Sequence, residues 1–213
     1  MAVSIHIAAG ESLSRVFLQK GSAAERYEIV IEEGGKAEIT FVTLPEGEIS
    51  NQISISFAGR GASCQLRGLY VTRGAGRASY NITMNHDCPD CFSNQLFKGL
   101  LYDSSRADFY GLVKVPACCI GTEAYQANHN LLLGEAARVR TLPQLEIYAD
   151  DVKCSHGATI GRLNEEELFY MQSRGIGREE ARRLQQMAFA AEILDTLPEP
   201  VRAEALEYMN QQN

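Results

Sequence analysis

From its beginning to about residue 160 the chain is a succession of short segments in which apolar and polar residues alternate. Tyr27-Glu28-Ile29-Val30-Ile31, Ile53-Ser54-Ile55-Ser56-Phe57 and Leu145-Glu146-Ile147-Tyr148 are examples. A period of two places successive side chains on opposite faces, so each segment reads as a β-strand. Gly34-Gly35, Gly59-Arg60-Gly61, Gly74-Ala75-Gly76 and Asp103-Ser104-Ser105 interrupt them as turns. No long helical pattern intervenes. A weak internal repeat overlies the alternation: a turn, then alanine, any residue, and a larger side chain, at Ala37/Ile39, Ala62/Cys64, Ala78/Tyr80, Ala107/Phe109 and Ala137/Val139. A small and a bulky residue recurring on one strand face suits the stacked coils of a parallel β-helix. Its uneven spacing fits a β-sandwich equally well, and periodicity does not choose between them.

The pattern changes after Gly161. Asn164 followed by Glu165-Glu166-Glu167 is an N-cap with a carboxylate three residues on, and Gly175 is placed to end the helix so begun. A second helix is expected from about Arg178 to Leu194, with Ala181, Leu184, Met187, Ala188 and Ala191 on one face, and a third after Pro198. The expected organisation is a β body over residues 1–162 and a small helical domain over 163–213. At 213 residues, 45% of them hydrophobic, the chain can bury a core of that size.

No run of about 18 apolar residues is present, and no basic stretch followed by an apolar one opens the chain, so neither a membrane span nor a signal peptide is expected. A formal charge of −7 argues against nucleic acid as a partner. Six cysteines without an export signal read as reduced thiols, which points to the cytoplasm.

Several residues bear chemistry. Cys154 and His156, two apart in a strand, project to one face and could share an iron, although a CxH pair alone fits a structural role as well. Asp150 and Asp151 either orient that histidine or end the strand in a turn, and His129 is a further strand histidine. Cys88 and Cys91 form a CxxC beside His86, half of a zinc or iron site by spacing. Cys118-Cys119 would complete four thiolates, but adjacent cysteines in a strand point to opposite faces. Gly34-Gly35-Lys36-Ala37 has neither the spacing nor the hydroxyl of a phosphate loop, and G-x-S-x-G is absent, so neither nucleotide hydrolysis nor acyl transfer is expected.

The stretch SNQLFKGLLYDSSRADFYGLVKV from Ser93, with QANHNLLLGEAARVRTLPQLEIYADDVKCSHGATIGRLNEEELFYMQSRGI running to Ile176, resembles the SufB/SufD family of iron-sulfur cluster assembly proteins, on its SufD side. LEIYADDVKCSHGATIG is the most specific part. The resemblance implies a mainly β fold, a right-handed parallel β-helix followed by a small C-terminal α-helical domain. It implies a scaffold, not an enzyme, that works with a SufB-like subunit, or with itself as a homodimer, and with a SufC-type ABC ATPase that docks on the helical domain. It implies a transient, nascent iron-sulfur cluster at the subunit interface, none being expected in the isolated chain, with His156 as the matching interface position and Cys154 beside it. Phe169, Tyr170 and Met171 are then the expected ATPase contact. IHIAAGESL resembles the first coil, and full-length members carry a substantial region ahead of it; a short paralogue, half of a split gene and a fragment all fit this. The rival readings are a stand-alone structural paralogue and a polysaccharide-active β-helix enzyme.

Overall fold

The computed structural model describes residues 2–211; Met1, Gln212 and Asn213, the outermost residues of the two expected units, lie outside the described residues. Ten strands precede three helices: β1 (Ala2–Ile7), β2 (Ser12–Ile31), β3 (Lys36–Phe57), β4 (Ser63–Thr72), β5 (Arg77–His86), β6 (Phe92–Leu101), β7 (Arg106–Val115), β8 (Glu123–Leu132), β9 (Arg138–Ile147), β10 (Lys153–Gly161), α1 (Glu165–Ser173), α2 (Arg178–Leu194) and α3 (Glu199–Asn210). All pairings among the described strands are parallel. The choice left open by periodicity therefore falls to the β-helix.

Successive coils add strands alternately to two ladders, β3-β4-β6-β8-β10 and β3-β5-β7-β9. The long strands β2 and β3 turn a corner and serve both. The corner in β2 falls at Gly21, whose φ of +74° suits glycine and coincides with a register shift. Inward residues of the two ladders meet in one core that includes Phe41, Tyr80, Phe97 and Phe109, with ring centroids 5.0 Å apart between Tyr80 and Phe97 and 5.1 Å between Phe97 and Phe109.

The small-then-large repeat points inward as expected, yet its units are not equivalent. Ala37 pairs with Cys64 and not with Ala62, which lies in a turn, and Ala107 pairs with Val139 and not with Ala137. The spacing is uneven because the series mixes strand and turn positions from both ladders.

Asn164 caps α1, accepting from the N–H groups of Glu166 and Glu167 at 2.9 and 3.3 Å, and Gly175 follows the helix at φ +90°. The helices pack against the β body. Ala190, Ile193 and Leu194 of α2 and Ala205 and Met209 of α3 pack with Val42, Leu44, Leu69, Val71 and Leu100 on the outer face of the β4 ladder. This corrects part of the expected face of α2: Ala181 is buried as expected and Met187 and Ala191 are half-buried, but Leu184 and Ala188 are exposed, and the buried stripe turns through Phe189, Ala190, Ile193 and Leu194. The sheet, and not the helix alone, selects the stripe.

Candidate functional site

The two ladders end at β9 and β10, beyond which no described strand continues. Following one inward row makes the consequence visible. Ile39, Leu66, Gln95, Gln126 and His156 occupy equivalent positions on successive strands. The first four are buried, and His156 is exposed. The neighbouring rows end at Cys154, in line with Ala124 and Ser93, and at Ala158 and Ile160, in line with Asn128 and Asn130. On β9 the inward residues Val139, Thr141, Pro143, Leu145 and Ile147 are half-buried where their counterparts on β7 are buried. The end of the solenoid is thus a mostly apolar surface with one imidazole and one thiol in it. Pro143 removes a backbone donor from edge strand β9, while β10 carries no proline.

Cys154 and His156 share the inward face of β10, about 6.6 Å apart along the strand by the ordinary rise. Cys154 is half-buried against the core, and that burial raises its thiol pKa, with the Ala124 N–H acting in the opposite sense. Among the described residues no hydrogen bond or ion pair joins Asp150 or Asp151 to His156; the two aspartates form the turn before β10, where the Asp151 carbonyl accepts from the Gly121 N–H at 2.7 Å. His129 lies on the opposite face of its ladder, against Thr159 Oγ1 at 2.8 Å, and does not join His156. Phe169 and Tyr170 are 74% and 59% exposed and Met171 is half-buried.

Beneath His156 lies a feature that sequence reading missed. Gln126 donates from Nε2 to Gln95 Oε1 at 3.2 Å, leaving Gln126 Oε1 and Gln95 Nε2 buried without partners. Asn128 donates to the Tyr70 hydroxyl at 3.0 Å, Asn130 donates to Asn128 Oδ1 at 2.8 Å, and Tyr70 bonds Asn130. A polar file therefore runs inward from the open end, apart from a second buried network of Gln19, Thr43 and Asn51 in the early coils. Space for it comes from glycines: a Cβ on Gly111 would collide with the Gln126 amide, and one on Gly99 with Tyr70 and Asn130. The available signal was the run of amides at alternate positions, Gln126, Asn128 and Asn130, where an inward face should be apolar.

Parallel strands in stacked coils, an uncovered last coil and helices laid on one ladder define a β-solenoid protein. Residues 5–189 match the family described as SUF system FeS cluster assembly, SufBD core domain, and the chain belongs to that family. It is 49% identical over 114 residues to the iron-sulfur cluster assembly protein SufD of Escherichia coli, covering 54% of this chain and 27% of that protein. It is 48% identical over 117 residues to an iron-sulfur cluster assembly SufBD family protein of Synechocystis, covering 55% and 25%. With another from Mycobacterium leprae it shares 36% over 173 residues, covering 78% and 44%. The chain thus spans under half the length of these relatives.

Proposed function

We propose that this chain is a SufD-like scaffold subunit of the SUF machinery, without a catalytic centre of its own, that pairs through β9 and β10 with a SufB-like subunit or a second copy. The observation that carries this reading is the inward face of β10, which comes into solvent at His156 with the apolar residues Ala158 and Ile160 exposed beside it. A row of core character left uncovered, bordered by unpaired strand edges, is a surface suited to a partner.

The cluster is cargo at that seam. Iron-sulfur clusters commonly take four protein ligands. This end offers one imidazole and one thiol, and no group of three metal-ligating side chains is gathered among the described residues, so the partner supplies the rest. Residues 1–162 form the scaffold in this reading and residues 163–213 the docking unit for a SufC-type ATPase, with exposed Phe169 and Tyr170 and adjacent Met171 as its contact. The six free thiols are consistent with a cytoplasmic setting.

The test is anaerobic cluster reconstitution with SufB- and SufC-like partners, comparing wild type with His156→Ala by absorbance and iron content. Loss of cluster from the mutant complex, with the complex itself intact, supports an interface role. Equal loading would leave His156 structural and favour a stand-alone paralogue.

A further inference from the structure

Cys88 and Cys91 lie in the turn between β5 and β6, and Cys118 and Cys119 in the turn between β7 and β8, at the same corner of adjacent coils. Backbone hydrogen bonding stacks the two turns: the Asp90 N–H donates to the Ile120 carbonyl at 2.9 Å and the Glu123 N–H to the Cys91 carbonyl at 2.9 Å. Their chains are therefore about one strand spacing, 4.8 Å, apart. The objection from strand alternation does not apply to Cys118 and Cys119, because they are in a turn; their sulfurs are 3.7 Å apart. Two thiolates on one tetrahedral zinc, at 2.3 Å each, stand about 3.8 Å apart.

Cys91 and Cys119 are buried in one core cluster, and Cys88 packs against it. The Cys91 thiol donates to the Gly59 carbonyl at 3.3 Å. Arg60 and Asp90, bonded at 2.7 Å, form an ion pair beside the same turn.

We propose that Cys88, Cys91, Cys118 and Cys119 form a four-thiolate site for a thiophilic divalent cation of the zinc class, on the flank of the solenoid and independent of His156. Binding releases one proton from each thiol and leaves a dianionic centre. No three ligands are yet gathered about one point, so the cation draws the two turns together. Exposed Cys118 and half-buried Cys88 have the freedom to close on buried Cys91 and Cys119.

The probe is Co²⁺ alone, titrated anaerobically into the reduced chain. One equivalent should bind with intense sulfur-to-cobalt charge transfer and the visible bands of a tetrahedral tetrathiolate, and Zn²⁺ should displace it. Cys118→Ser, at an exposed position, and Cys88→Ser should each weaken binding at least tenfold, while Cys154→Ser and His156→Ala leave the spectrum unchanged. Absence of charge transfer in wild type overturns the site, as does a signal that survives Cys118→Ser and Cys88→Ser but is lost in Cys154→Ser.

Discussion

Coil for coil, β6 and β10 are equivalent strands of one ladder, and they live in different surroundings. In β6 the inward residues Gln95, Phe97 and Gly99 are sealed between two ladders and two neighbouring strands. In β10 the equivalent residues, His156, Ala158 and Ile160, face solvent. Ala158 and Ile160 are residues that gain from leaving water, although the positions beneath them on β8 are the buried amides Asn128 and Asn130. The stability of the chain thus resides in its middle coils, and the last coil retains unspent apolar surface and unpaired strand groups. A β-helix stacks by nearest neighbours, so its two kinds of coil can be perturbed separately.

The largest contrast should come from truncating one inward side chain in each. Phe97 is fully buried between Tyr80 and Phe109, so Phe97→Ala should cost about 3–5 kcal/mol. Ile160, 50% exposed, should cost below about 1 kcal/mol as Ile160→Ala in the isolated chain. Urea unfolding monitored by circular dichroism measures both. Equal costs would mean that the end is already covered in solution, as in a homodimer, and dilution would then separate them.

Glycines sharpen the same comparison at a smaller scale. Gly111 faces the Gln126 amide across the core, and the methyl of Gly111→Ala would meet it, so a loss of about 1–3 kcal/mol is expected. Gly157, in β10, has nothing within 4 Å of an added Cβ, and Gly157→Ala should change stability by no more than about 0.5 kcal/mol. Thermal melts of the two variants give the difference. A neutral Gly111→Ala would show that Gln126 is free to swing away from the file.

What could be read beforehand follows local physics. Strand alternation, the Asn164 cap and the Gly175 stop are decided within a few residues, and they stand where the chain's own pattern puts them. Which strand succeeds which is decided by coil length, and the alanine series blurred it because Ala62 and Ala137 are buried turn residues that mimic strand positions. The face of α2 was legible only with the sheet present, since Phe189 and Ile193 are chosen by what they cover. For the site, parity sufficed to put Cys154 and His156 on one side of a strand. That this side is open, and that Gln126 and Gln95 stand behind it, depends on where stacking ends, which no local pattern encodes.

The smallest expected effect marks the border between the two kinds of coil. His129 sits on β8, one strand in from the edge, on the face that α2 partly covers; Thr159 hydrogen-bonds its ring, and Lys98 and Glu192 are the charges around it. Burial first, and then Lys98, hold its pKa below the ordinary imidazole value, with Glu192 acting in the opposite sense. The folded chain therefore binds fewer protons there than the unfolded chain once the pH falls below about 6.5. Stability contributed by neutral His129 should be complete above that pH and lost as the pH drops toward the folded value. His129→Gln should remove less than one proton of slope from the stability profile between neutral and mildly acidic pH, measured by denaturant titration at several pH values. An unchanged slope would mean that the cover given by α2 stops short of β8, and that solvent reaches one strand further into the solenoid than the burial of His129 indicates.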